Sequence, residues 1–193
     1  LLVGMDYVDE LQLLKEEAKS KGLWGEFNDA LNVEAHSLNR AGNLSGIREI
    51  LLQAQKHMNR GSLEAQCKGH AMVALNIYFG EPHTGLPAAR RAVEIAKETN
   101  DPDLLLHALN RLMVALHYKG ALNTLEGNEA FELADDLVKT SGDLILKFHI
   151  RLNRAVWHLE VGELSKAKRG FSTAEELVRG TNAHDAKAML ALN

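Results

Sequence analysis

The chain has 193 residues, of which 46% are apolar and 25% charged, a composition typical of an ordinary globular protein. Its 22 basic and 26 acidic residues give a formal net charge of −4, so nothing marks the whole chain as a binder of nucleic acid or of an anionic membrane. Cys67 is the only cysteine, which excludes an internal disulfide and a cysteine-based zinc site and predicts a cytoplasmic protein.

The two ends of the sequence bear on targeting and on domain organisation. No apolar run approaches the roughly 18 residues that a membrane span needs, and the opening LLVGMDYVDE lacks a basic leader, so we expect no membrane association. The chain begins with Leu1 and ends on HDAKAMLALN, an amphipathic stretch with no stop signal. We therefore expect a single domain over residues 1 to 193 that is a fragment of a longer chain.

Helix starts and stops can be located in chain order. Apolar residues recur with i, i+3, i+4 spacing almost everywhere, and no segment alternates long enough to predict a strand. Gly22 and Gly61 stand where helices should end, Ser62 can cap the next helix, and Asp101 can cap a helix that begins with Pro102. The sequence therefore predicts an all-α fold with helices of roughly 15 to 20 residues.

A helical hairpin recurs along the chain. Its turn glycines are spaced by 38, 40 and 42 residues: Gly42, Gly80, Gly120 and Gly162. An alanine follows each glycine, twelve residues later in the first, second and fourth copies and fourteen residues later in the third: Ala54, Ala92, Ala134 and Ala174. Glycine suits a tight turn between antiparallel helices, and small alanines let a neighbouring hairpin approach closely. Four stacked hairpins with partial units at both ends are predicted, the alternative being a conventional bundle with accidental glycine spacing.

The best copy of this unit, GELSKAKRGFSTA, resembles a tetratricopeptide repeat. The family pattern falls on a turn glycine, small and large apolar residues and an alanine: Gly162, Leu164, Ala167, Phe171 and Ala174. The period of about 40 residues is similar to the long variety found in C-terminal arms of bacterial signalling ATPases and transcription activators. The first helix departs from the pattern, with Arg154 and Ala155 in place of Leu-Gly. The resemblance implies a right-handed α-solenoid of stacked antiparallel hairpins.

In that family the first helix of each hairpin lines a concave surface. Alignment of the hairpins on their turn glycines puts nine candidate side chains in such a groove: His70, Tyr78, His107, Asn110, Arg111, His117, Tyr118, His149 and Asn153. Asparagine both donates and accepts hydrogen bonds, and arginine pairs with carboxylates, so this mixture suits a peptide backbone or a terminal carboxylate. We therefore predict a groove that binds a protein or peptide partner.

Motifs for chemistry do not occur in the sequence. There is no phosphate loop, dinucleotide fingerprint, zinc-protease motif or hydrolase elbow, so we predict no catalytic residue, no cofactor and no enzyme activity. The histidine pairs on single predicted helices are nine or ten residues apart, too far for an i, i+4 chelate, so no metal site is predicted. Basic residues lack interleaved aromatic residues, which argues against direct nucleic-acid binding.

The predicted function is a protein-protein interaction or regulatory scaffold module. Its partner would be a protein, a peptide or another domain of the parent chain, and the resemblance implies a bacterial signalling or transcription-regulatory setting. A sensor domain for a small molecule or signalling peptide stays open as an alternative, with a closed pocket in place of an open groove. A homodimer through the solenoid ends also stays open.

Overall fold

The computed structural model describes the backbone of residues 2 to 179 and the side chains of residues 9 to 179. This part of the chain is helical and contains no strand, which confirms the all-α prediction. The elements are α1 (Leu2–Lys21), α2 (Trp24–Arg40), α3 (Leu44–His57), α4 (Leu63–Val73), a 3-10 helix (Ala74–Phe79), α5 (Pro82–Thr99), α6 (Pro102–Tyr118), α7 (Leu125–Val138), α8 (Leu144–Glu160) and α9 (Leu164–Val178). None of these helices is both long and apolar enough to cross a membrane.

Two compact units make up the fold, Leu1–Asn100 and Asp101–Asn193. The first contains α1 to α5 and the second α6 to α9. The stretch HDAKAMLALN, predicted to begin a partial hairpin, lies outside the described residues. The prediction of one repeat domain over residues 1 to 193 stays a prediction.

The helix starts use the side-chain caps that the sequence indicates. The carboxylate of Asp101 accepts hydrogen bonds from the backbone N–H groups of Asp103 and Leu104, at 3.0 and 3.1 Å. The Ser62 hydroxyl accepts one from the N–H of Ala65 at 3.2 Å. Both predicted caps are therefore confirmed, and each satisfies donors that a helix start leaves without an intrahelical partner.

The four predicted turn glycines all adopt left-handed backbone angles. Their φ values are +68°, +76°, +63° and +79° for Gly42, Gly80, Gly120 and Gly162. Side chains rarely tolerate this conformation, so glycine is what allows each chain reversal to be short. The third turn is the longest, with α7 beginning only at Leu125, as the two extra residues before Ala134 predict. The predicted hairpin turns are therefore confirmed.

The second helix of each hairpin buries its predicted alanine completely. The exposed fraction is 0% for Ala54, Ala92, Ala134 and Ala174. Leu51, Ala89 and Phe131, three residues earlier in three of the copies, are at most 1% exposed. Burial at equivalent positions shows that the hairpins use the same stripe for packing, since residues three apart lie on one helix face.

In the first unit, α2 packs against α1, α3 and α4. The Asn28 side-chain amide donates to the carbonyl oxygen of Ala65 at 2.8 Å, and the Lys68 ammonium lies 2.8 Å from the carboxylate of Asp29. These partners are 37 and 39 residues apart, close to the spacing of 38 between the two turn glycines. The first helices of these two hairpins therefore run parallel, side by side.

The second hairpin departs from the predicted helix length, because α4 stops after 11 residues and the chain continues as a 3-10 helix. The Asn76 side chain donates to the carbonyl oxygen of Val73 at 2.9 Å, a local bond that competes with regular helix. On α5, a Cβ at Gly85 would lie 2.8 Å from the carbonyl oxygen of Ala74 and from the N of Ile77. The backbones of α5 and the 3-10 helix are thus in direct contact.

In the second unit, α6 pairs with α7, α8 pairs with α9, and α8 also packs on α6 and α7. The buried side chains between α8 and α9 are Phe148, Leu152, Ala174 and Val178. Phe171 and Leu177 pack against this cluster and are partly exposed. This core fixes the rotation of α8, and hence which of its side chains face solvent.

Candidate functional site

Seven of the nine predicted groove residues lie in the second unit, on α6 and α8. The Asn153 amide donates to the side-chain oxygen of Asn110 at 2.7 Å, and the Nδ1 of His117 lies 3.0 Å from a carboxylate oxygen of Glu160. The members of each pair are 43 residues apart, so α6 and α8 run parallel with a constant offset. These two contacts join the first helices of neighbouring hairpins.

Because the helices are parallel, residues with the same spacing line up on one surface, which we call the α6–α8 face. It combines positions i, i+4, i+7 and i+11 of each helix: His107, Arg111, Val114 and Tyr118 on α6, and His149, Asn153, Val156 and Glu160 on α8. Tyr118 is 54% exposed, and the Glu160 side chain is 45% exposed. The six other members are half-buried. The face therefore offers aromatic, aliphatic, cationic and anionic groups together.

The C-terminal end of this face is ordered by ring packing. The imidazole of His117 meets the Tyr118 ring edge to face, with centroids 5.4 Å apart. His117 also faces Glu160, so one histidine touches both an exposed aromatic ring and an exposed carboxylate. Tyr118 thus presents its ring to solvent from a fixed position, the property of an interface anchor.

Two of the predicted groove residues are buried, and their role as ligand contacts stays a prediction. Asn110 is 6% exposed, and its side-chain oxygen already accepts the hydrogen bond from Asn153. His70 in the first unit is also 6% exposed, and its Nε2 lies 3.0 Å from the side-chain oxygen of Asn59. Through these contacts both side chains support the packing of neighbouring segments.

The remaining predicted residue, Tyr78, belongs to the first unit. It lies on the 3-10 helix and is 48% exposed. The guanidinium of Arg48 lies 5.3 Å from the ring centroid of Phe79, the next residue in the sequence. Tyr78 is therefore half-exposed, on a segment whose backbone geometry differs from that of the other first helices.

A cluster between α7 and α8 was missed by sequence reasoning. The Arg154 guanidinium lies 4.7 Å from the Phe131 ring centroid and 4.5 Å from that of Trp157, and Arg151 bonds the Asp135 carboxylate at 2.6 Å. Cation–π stacking and an ion pair together tie the second hairpin of the unit to the first. Arg154 stands where the tetratricopeptide pattern has a leucine, and this departure from the pattern is the sequence signal that could have indicated the cluster.

An open cleft of about 490 Å³ lies in the first unit between the starts of α2 and α4. Trp24, Glu26 and Glu64 are among its lining residues, and none of the nine predicted groove residues lines it. Burial acts to lower the pKa of Lys68, another lining residue, but hydrogen bonds to Asp29 and Glu64 raise that pKa overall. Because the Lys68 ammonium pairs with both carboxylates, its side chain stabilises the packing of α4 on α2.

Comparison of the chain with protein-family models, with curated proteins and with solved structures gives no match. Across the described ranges, no group of three or more histidine, cysteine or acidic side chains is arranged to hold a metal ion. The resemblance to helical repeats therefore depends on the residues of this chain, above all on the turn glycines and the parallel first helices.

Proposed function

We propose that this chain is a protein-interaction module built as a right-handed solenoid of tetratricopeptide-like hairpins. It would bind a peptide or protein segment on the α6–α8 face. The observation that carries the proposal is the parallel packing of α6 and α8, which brings matching residues of two hairpins onto one surface. A face repeated along parallel helices suits an extended chain, because successive side chains of the ligand meet successive hairpins.

The chemistry of the face supports a polypeptide ligand. Tyr118 supplies a large exposed ring, Val114 and Val156 supply apolar contact area, and Arg111 and Glu160 supply charges of both signs. Interfaces commonly combine an aromatic anchor with a polar surround in this way. No step of this function requires bond making or breaking, so the proposal is recognition without catalysis.

The parent setting belongs to the same proposal. By its resemblance to the long-period repeats, the module would act as a regulatory arm of a bacterial signalling or transcription-regulatory protein. Its partner would then be a separate protein or another domain of the parent chain. Ligand binding would favour one packing of neighbouring hairpins over another, which is how a solenoid can transmit a signal.

Peptide selection tests the proposed face. A displayed peptide library is selected on the wild-type protein, and the affinity of the enriched peptides is measured for two variants. The face variant carries Tyr118→Ser and Glu160→Ser, two members of the face whose exposed fractions are 54% and 45%. We expect it to bind at least about tenfold more weakly, because loss of an interface anchor costs more than about 1 kcal/mol.

The matched control changes two exposed side chains outside the first helices. Leu125→Ser and Leu164→Ser are 74% and 65% exposed at the starts of α7 and α9. This control should bind as the wild type does. Equal loss in both variants, or enriched peptides that bind the face variant unchanged, would remove the α6–α8 face as the binding surface.

A further inference from the structure

Two histidines flank the joint between the two hairpins of the first unit. His57 is the last residue of α3, His70 lies within α4, and residues 58 to 62 connect these helices. Both rings are packed against the joint or its neighbours, and the proposed binding face uses neither. Their surroundings determine what happens when they take up a proton.

The His57 ring is held by aromatic contacts with α2. It stacks on Trp24 with centroids 5.0 Å apart and an interplanar angle of 24°, and it meets the edge of Phe27 at 5.5 Å. Its Nδ1 is buried and has no hydrogen-bond partner within the described residues. Protonation would therefore place a new N–H group where nothing in this part of the chain accepts it.

The charges around His57 also oppose its protonation. Burial lowers the pKa of His57, and the positive charges of Arg60, Lys19 and Lys56 lower that pKa further. These cations come from the joint, from α1 and from α3 itself. A charged imidazole at His57 would thus meet three like charges, one each from α1, α3 and the joint.

His70 is the more deeply buried of the two. Its Nε2 lies 3.0 Å from the side-chain oxygen of Asn59, a residue of the joint, and its Nδ1 has no partner in the described part of the chain. Burial lowers the pKa of His70; Arg91 of α5 lowers it further and Glu94 of α5 acts to raise it. Glu94 already pairs with Arg91 at 2.9 Å, so it offers a protonated His70 no dedicated counter-charge.

We propose that this joint is an acid-sensitive hinge, in which protonation of His57 and His70 releases residues 58 to 62 and loosens α3 from α4. A proton on His57 adds a cation to the cluster of Lys19, Lys56 and Arg60. Protonation of His70 places a positive charge and an unsatisfied Nδ1–H donor in a buried position beside its contact with Asn59. Opening the joint lets water solvate both rings, so protons favour the open state.

The direction of the pH effect follows from the lowered pKa values. Both histidines have a pKa below the ordinary 6.5 when the joint is closed, so the open state binds protons first as the pH falls. The closed joint is therefore fully stable above about pH 6.5 and weakens as the pH falls from there towards the closed-state pKa values.

Hydrogen exchange of the whole chain at about pH 7.5 and about pH 5.5, corrected for intrinsic rates, tests the hinge. We expect amide protection in α3 and the first turns of α4 to fall at least about tenfold relative to α5. The hinge variant combines His57→Phe, which keeps a stacking ring, with His70→Gln, which keeps a partner for Asn59. It should show no such fall, and each single variant should show a smaller one.

The control is His83→Gln, an exposed histidine of α5 in the same unit. It should behave as the wild type does, with loss of protection confined to the joint. A fall that persists in the hinge variant, a fall of equal size throughout the first unit, or no fall in the wild type would overturn the proposal. The single variants keep the test decisive if the double variant does not fold.

Discussion

Replacement of Glu34 by alanine is expected to lower the free energy of unfolding by about 3 to 5 kcal/mol. The Lys15 side chain on α1 is 4% exposed, and its ammonium lies 2.5 Å from the Glu34 carboxylate on α2. Without Glu34, a buried cation loses the partner that compensates for its removal from water. Denaturant unfolding of the wild type and the variant measures the loss.

Two further variants separate burial from charge. Lys21→Ala breaks the exposed ion pair between Lys21 and Glu17 on the same helix and should cost far less, because water already solvates both charges. Lys15→Met combined with Glu34→Leu replaces both buried charges and should restore most of the lost stability. If Glu34→Ala costs no more than Lys21→Ala, the Lys15 ammonium is solvated and α1 does not pack on α2 as described.

Replacement of Gly127 by alanine is expected to lower the free energy of unfolding by about 3 kcal/mol, the upper end of the usual cost of overpacking. Gly127 is buried in the first turn of α7, where its N–H is accepted by the Thr124 hydroxyl at 3.3 Å. An added Cβ would overlap the carbonyl oxygen of Leu122 and lie 2.8 Å from its carbonyl carbon. Because the obstacle is backbone, relief requires the α6–α7 turn to move.

Gly25→Ala is the matched control for Gly127→Ala. Gly25 also lies in the first turn of a helix, α2, and a Cβ there would meet nothing within 4 Å. This substitution should leave stability unchanged or raise it by up to about 1 kcal/mol, since alanine is the better helix former. Thermal unfolding of the two variants tests this contact: equal midpoints would mean that the Leu122 carbonyl does not lie against Gly127.

Local features of the fold were predictable because they are encoded by single residues. Asp101 and Ser62 are good caps in any context, and glycine is favoured wherever a turn needs a positive φ. The stripe of small alanines was equally visible, because helical spacing shows which positions share a side. These signals were sufficient to locate the hairpins and their turns before any tertiary contact was known.

How deeply a side chain is buried was less predictable than the side of the helix on which it lies. The register on the turn glycines placed Asn110 among the groove residues, but its distance from solvent depends on how closely α8 approaches. The same limit applies to Gly127, whose contact with Leu122 exists only once the turn has formed. Arg154 was unexpected because cation–π stacking between Phe131 and Trp157 joins residues that are distant in sequence.

Disulfide trapping between α6 and α8 tests most directly whether the hairpins repeat in parallel and so share one face. The pairs His117→Cys with Glu160→Cys and Asn110→Cys with Asn153→Cys replace side chains that are in contact. The crossed pairs, 110 with 160 and 117 with 153, are displaced by seven residues, about 10 Å along a helix. The natural Cys67 is 0% exposed and should contribute little background.

Under mild oxidation, parallel packing predicts much faster disulfide formation in the two matched pairs than in the crossed pairs, because a disulfide requires Cβ atoms about 4 Å apart and the crossed residues are displaced by about 10 Å along the helix. Antiparallel packing of the same two helices would bring the crossed residues together. Disulfides in the crossed pairs, with none in the matched pairs, would contradict the repeat and the shared face with it.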